Sequence, residues 1–148
     1  MPDRADNIIT RTEQINDLLA EVKRVAVLGI KPASRASAAA HYVPAYLVEA
    51  GLEVIPVPTY YPEVTTILGR PVYRALRDVP GPIDLVNVFR RSEDIPAHLD
   101  DLLAAQPRSV WFQLGIRNDA VARALAEANI LVVQDRCLMV DHRRLARP

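Results

Sequence analysis

Two basic stretches and one cysteine are the residues whose types could do chemistry. The first stretch is Gly29-Ile30-Lys31-Pro32-Ala33-Ser34-Arg35-Ala36-Ser37, which follows the apolar run Val25-Ala26-Val27-Leu28. A strand that leaves through one glycine into a basic, hydroxyl-bearing loop and then enters a helix suits phosphate. Free backbone N–H groups and the positive end of the helix dipole converge on such a loop. The second stretch is Phe89-Arg90-Arg91, directly after Leu85-Val86-Asn87-Val88; a guanidinium can grip phosphate through two parallel hydrogen bonds. Cys137, with Asp141 and His142 close behind it, has the types for a nucleophile and a base. Its flanks Leu138, Met139 and Val140 favour a buried structural thiol instead. His41 and His98 fall on expected helices, as surface or first-turn residues. The sequence shows no pair of carboxylates, no metal-ligand spacing and no nucleophile elbow.

These residues need elements to position them. Thr10-Arg11-Thr12-Glu13 has the capping-box pattern, and Ile15, Leu18, Leu19 and Val22 follow at helical spacing, so a first helix is expected over about 10–22. Residues 1–9 are expected to be loose. Strand one, 24–29, is apolar on both faces, as when helices cover both sides of a parallel sheet. A helix should start near His41, with Pro44 in its first turn and Gly51 just past its end. Strand two is 53–58; its prolines suggest an edge, or a strand end that faces a ligand. Residues 59–82 are irregular, with a short helix around 73–77. Strand three is 84–89. Ser92 or Asp94 should cap a helix bearing Ile95, Leu99, Leu102 and Leu103. Strand four is 109–114, and Asn118 should cap a helix bearing Val121, Leu125 and Ala128, ended by Asn129. Strand five is 130–133, followed by a polar tail, 135–148, with an apolar patch at 138–140.

Strands alternating with helices specify one α/β domain, a Rossmann-like doubly wound five-stranded parallel sheet; the expected strand order is 3-2-1-4-5. In such a sheet a ligand sits at the carboxyl ends of the strands. That rim carries Gly29, Ile30, Lys31, Ser34, Arg35 and Ser37 after strand one, and Pro58 and Thr59 after strand two. Phe89, Arg90 and Arg91 follow strand three; Gln113, Leu114, Gly115 and Ile116 follow strand four. Four cations, hydroxyls and apolar surface on one rim suit a long ligand with several phosphates and an apolar arm. A nicotinamide dinucleotide fits poorly. The G-x-G-x-x-G fingerprint is absent, and strand two ends in Pro58-Thr59 where an acid would hold a ribose.

With 148 residues and a formal net charge of zero, the chain has no overall pull toward nucleic acid or an anionic membrane. One cysteine permits no intrachain disulfide. No apolar run approaches the ~20 residues of a membrane span, and the N-terminus lacks an apolar leader. A cytoplasmic protein is expected.

Several segments carry a family resemblance: Val25-Ala26-Val27-Leu28-Gly29, His41-Tyr42-Val43-Pro44, Val54-Ile55-Pro56-Val57-Pro58, and Asp84 through Arg91. The most specific are Trp111-Phe112-Gln113-Leu114-Gly115-Ile116-Arg117 and Asp135-Arg136-Cys137-Leu138-Met139-Val140. Together they resemble the single-domain CoA-binding proteins of bacteria and archaea. That family is similar to the N-terminal domain of the succinyl-CoA synthetase α-subunit. The resemblance implies coenzyme A, or an acyl-CoA, bound across strands one to four by a non-catalytic carrier, sensor or regulatory module. It would place Gly29 and its loop at the pyrophosphate and Pro56, Val57 and Pro58 beside the adenine. Phe89, Arg90 and Arg91 would lie near the pantetheine or phosphates, with Gln113 to Ile116 as the far wall. The sequence departs from the family in its alanine-rich 36–40 stretch and in ending strand two Pro-Val-Pro-Thr. The alternative is a small oxidoreductase or acyl-transfer enzyme using Cys137. A third reading is a subunit that completes a larger synthetase, with the Trp111 region or the tail patch as its interface; the expected association is a homodimer or a protein partner.

Overall fold

The computed structural model describes residues 4–146. Five strands form one parallel sheet: β1 (Arg24–Leu28), β2 (Glu53–Val57), β5 (Leu85–Val88), β6 (Ser109–Phe112) and β7 (Leu131–Val133). Between β2 and β5 the chain makes a two-stranded antiparallel hairpin, β3 (Thr66–Ile67) and β4 (Arg70–Pro71). Five helices pack on the sheet: α1 (Thr12–Ala20), α2 (Ala39–Glu49), α3 (Leu99–Ala105), α4 (Asp119–Glu127) and α5 (Leu138–Ala146).

Both faces of the sheet are covered, which explains why its strands read as apolar runs without alternation. Val25, Val27, Leu85, Trp111 and Val133 point to the face under α1, α2 and α5, meeting Ile15, Leu47 and Leu138. Ala26, Val86, Val88, Phe112 and Val132 point to the other face, meeting Leu102 of α3 and Val121 and Leu125 of α4. The fully buried Trp111 keeps its indole N–H satisfied by donating to the Arg136 carbonyl at 2.7 Å.

The α/β class and the doubly wound parallel sheet are as the sequence specifies, but the strand order is not. The sheet runs β2-β1-β5-β6-β7, which in chain order of its five strands is 2-1-3-4-5 and not 3-2-1-4-5. The reason is in β2 itself. Pro56, opposite Val27 in the ladder, has no N–H to offer a second neighbour, so β2 pairs only with β1 and forms the edge. The prolines that suggest an edge thus exclude the order that would bury that strand. The chain then passes back over β1 to β5, and a right-handed connection in the reversed direction must use the opposite face. The point where the order reverses lies between β1 and β5.

Smaller differences follow local chemistry. The α1 cap lies one residue later than expected: Gln14 Oε1 accepts from the Arg11 N–H at 3.4 Å, in place of a Thr10–Glu13 pair. Asn7, Ile8 and Ile9 are not loose. The Asn7 side-chain amide donates to the Ala126 carbonyl, and Ile9 N–H donates to Val132 O at 2.7 Å beside β7; residues 1–3 lie outside the described residues. The helix after β5 begins as a 3-10 segment, Ser92–His98, with Arg91 at its cap. Ser92 Oγ instead accepts from the Arg117 N–H. The Asn118 cap is as expected, its side chain accepting from Val121 N–H at 3.0 Å. The tail forms α5, which packs on α1 and α2. Among the described residues no helix is long and apolar enough to cross a membrane.

Candidate functional site

At the carboxyl ends of β1, β5 and β6 lies a cleft of about 530 Å³, lined by Lys31, Ala38–Ala40, Phe89–Glu93 and Gly115-Ile116. It opens where the strand order reverses, the place a doubly wound sheet leaves for a ligand. Gly29 lets the two strand ends close on each other there. It has φ +86, its N–H donates to Val57 O, and a methyl group in place of its hydrogen would overlap the Phe89 carbonyl oxygen. Only glycine tolerates both the backbone angle and that approach.

The loop after Gly29 is held by α2. Lys31 N–H donates to the Ala40 carbonyl at 3.1 Å, and His41 Nδ1 donates to the Lys31 carbonyl at 2.9 Å. The first turn of α2 therefore lines the cleft with its amino end, whose backbone N–H groups and dipole favour an anion. Among the described residues Lys31 has no carboxylate within ion-pair distance.

Arg90 and Arg91 enter the cleft differently. Arg91 is exposed and bonds Asp94 at 2.9 Å, which raises its already high pKa. Arg90 is half-buried. Its Nε donates to His98 Nε2 at 3.2 Å, its Nη1 donates to Thr59 Oγ1 at 3.2 Å, and Asp94 lies 3.7 Å away. Thr59 and His98 line a second cleft of about 480 Å³ with Pro58, Tyr60, Pro62 and Arg74. Arg90 is thus the partition between two neighbouring clefts. His98 has its pKa pushed down by burial first and by the Arg90 charge second, against the opposing pull of Asp101 and Asp94. A neutral His98 is what accepting from Arg90 requires.

The structure brings together Lys31, Phe89, Arg90, Arg91, Gly115 and Ile116 around one cleft, and Pro58 and Thr59 around the adjoining one. It does not bring in the rest of the expected rim. Ser34, Arg35 and Ser37 are exposed on the loop and line neither cleft, nor does Leu114, which is 65% exposed. Ile30 and Val57 are core residues, 1% and 0% exposed. Pro56 lines a small edge pocket with Arg24 and Tyr73, not the rim. Gln113 is buried, and its Oε1 accepts from Asn87 Nδ2 and Leu138 N–H, tying β6 to α5.

Missed from the sequence are Ala38–Ala40, His98, Tyr60 and Arg74. Arg74 donates to the carbonyls of Tyr60, Tyr61, Pro62 and Val64, at 2.6 Å for the shortest, and so shapes the loop over the second cleft. Nothing in residue spacing announces a guanidinium that organises carbonyls. The specific tail segment also has a structural account. Asp135 Oδ1 accepts from Gly115 N–H at 2.7 Å, while Asp135 N–H donates to Ile116 O, pinning the far wall. Arg136 grips Asp141 through two bonds of 2.7 and 2.9 Å, which raises its pKa.

The polar neighbours of Cys137 in the sequence are bonded elsewhere. His142 Nδ1 shares a hydrogen bond of 2.9 Å with the Tyr46 hydroxyl, and burial lowers its pKa. Asp141 faces Arg136 and Arg144. Cys137 packs partly buried against the α1, α2, α5 core. Among the described residues no group of three His, Cys, Asp or Glu is placed to hold a metal ion.

The chain is similar to several known proteins. An uncharacterized protein of Bacillus subtilis (strain 168), YneT, is 35% identical over 129 residues, which span 87% of this chain and 92% of that one. A solved structure from Thermus thermophilus, cell-free ID.343, is 40% identical and superposes with a TM-score of 0.83, covering 92% of this chain and 99% of that one. A dinucleotide-forming acetyl-coenzyme A synthetase of Ca. Korarchaeum cryptofilum, solved with phosphate and ADP, shares the fold at 18% identity and a TM-score of 0.65. The likeness spans 79% of this chain and 27% of the synthetase. The family model described as a CoA binding domain matches residues 23–143, from the residue before β1 to well into α5. By that match, and by relatives that align along nearly their whole length, the chain belongs to the CoA-binding domain family.

Proposed function

We propose that this protein binds coenzyme A or an acyl-CoA at the carboxyl ends of β1, β5 and β6, as a carrier, sensor or regulatory module without turnover of its own. The observation that carries this reading is Lys31. It is a cation without a carboxylate partner among the described residues, held beside the amino end of α2 in a cleft at the reversal of strand order. A polyphosphate matches that donor set. The apolar surface of Phe89 and Ile116 suits the pantetheine arm, and the second cleft, past Arg90, suits the nucleoside end. Membership of the CoA-binding domain family supports the ligand class.

Thermal melting of the purified protein with CoA, acetyl-CoA, NAD and NADP tests the reading. A ligand at ~100 times its dissociation constant adds about 2.7 kcal/mol, so CoA or acetyl-CoA should raise Tm by several degrees and NAD should not. A shift with NADP and none with either CoA species contradicts the proposal.

A further inference from the structure

We infer that Pro44 and His41 are positioning residues for Lys31: a proline inside α2 withholds the Ala40 carbonyl from the helix ladder, and that carbonyl and the His41 ring together hold the Lys31 peptide at the cleft. The inference rests on the reading that Lys31 faces the ligand. α2 spans Ala39–Glu49, and Pro44 is a turn and a half inside it rather than in its first turn. Residue 44 would normally donate its N–H to the carbonyl of residue 40. Proline has no N–H, and its ring crowds that carbonyl away from the helix axis. The Ala40 carbonyl does not go unused, because Lys31 N–H donates to it at 3.1 Å. The next residue, His41, is buried and supplies the complementary bond, its Nδ1 donating to the Lys31 carbonyl at 2.9 Å.

Both polar groups of the Lys31 peptide are therefore taken by adjacent residues of α2. Upstream, Gly29 N–H is bonded to Val57 O and the Ile30 side chain is 1% exposed. The backbone is fixed up to Lys31, whereas residues 33–37 are exposed. A proline at this depth is among the most unfavourable residues for a helix. An alanine would serve the helix better, and the bond that proline leaves open is the one that Lys31 uses. The His41-Tyr42-Val43-Pro44 segment is accounted for by the lysine ten residues upstream of its histidine.

Pro44→Ala restores an N–H that returns to the Ala40 carbonyl. The Lys31 amide should then exchange with solvent at least ~10-fold faster by hydrogen-exchange NMR, and the CoA dissociation constant should rise about tenfold, while helix content by circular dichroism is kept. In a Lys31→Gln background, Pro44→Ala should change affinity by less than about twofold, because the two act through one group. His41→Asn, whose Nδ2 can replace the ring Nδ1 as donor, should retain affinity; His41→Leu should lose it. Unchanged Lys31 exchange and CoA affinity in Pro44→Ala overturn the inference and leave the CoA reading standing. Equal affinities of His41→Asn and His41→Leu overturn it too, even if Pro44→Ala fails to fold. Wild-type protein that binds no CoA species defeats the CoA reading, and with it the role assigned to the two residues; Lys31 exchange still reports whether Pro44 holds the peptide.

Discussion

The two ends of the sheet carry similar charges and treat them in opposite ways. At the amino end Arg24 is saturated. Its guanidinium meets Glu53, the Pro82 carbonyl and, at 2.9 Å, the Pro80 carbonyl, while Asp84 Oδ2 accepts from the Lys23 and Arg24 N–H groups at 2.9 and 2.8 Å. Each of these bonds closes a connection of the fold. At the carboxyl end Lys31 has no carboxylate partner among the described residues, and Arg90 bonds neutral Thr59 and His98, which a phosphate can replace, with Asp94 at 3.7 Å. A cation that the fold has already satisfied is structural. A cation that the fold has fixed in place without satisfying is set aside for something else.

The largest effect that sharpens this contrast is expected where the carboxyl end closes. Gly29→Ala forces a left-handed angle on a residue with a Cβ and drives that carbon into the Phe89 carbonyl. The strain of the angle and the overlap together should cost about 3 kcal/mol, read by urea denaturation. Next comes Asp84→Ala, which orphans two backbone N–H groups. It should cost about 2 kcal/mol of stability and leave CoA affinity unchanged by calorimetry. Lys31→Gln should show the reverse, with stability within about 0.5 kcal/mol of wild type and affinity weakened roughly tenfold by loss of a charge-assisted bond. If Asp84→Ala weakens CoA binding as much as Lys31→Gln does, the contrast between the two ends is broken.

The smallest effect is on pH. His98 and His142 are both held below the ordinary histidine value, with burial the leading cause. The unfolded chain therefore takes up protons first. Stability from these groups is complete above about pH 6.5 and is lost as pH falls toward their folded values. Tm should decline between pH 7.5 and pH 5, and decline less in a His98→Gln, His142→Gln double variant. An identical decline in that variant would assign the pH response to other groups.

How far the sequence shows this molecule depends on what each feature needs. Apolar runs and their spacing identify the five strands and α4, because burial on both faces and a capping Asn118 are local facts. The strand order is not local. It turns on which neighbour Pro56 can lack, and the edge reading of that proline already contains the answer. The β3–β4 hairpin is hidden because its turn is Leu68-Gly69, both at positive φ, and a leucine there gives no turn signal. At the site, residues next to strand ends are legible as a rim, but the direction of each side chain is not. Ile30, Val57 and Gln113 are buried and Arg35 is exposed, lining neither cleft, although all four stand at strand ends or on the loop after one. Arg74 and His98 act across long loops and become visible only when the chain is folded.

The central claim, that a CoA ligand is gripped at the carboxyl end of the sheet, is tested most directly by hydrogen exchange with and without saturating CoA. Protection should appear at 29–40, 89–92 and 115–116, with residues 80–84 at the amino end unchanged. Protection confined to the amino end, or none at the cleft while CoA is bound, would contradict it.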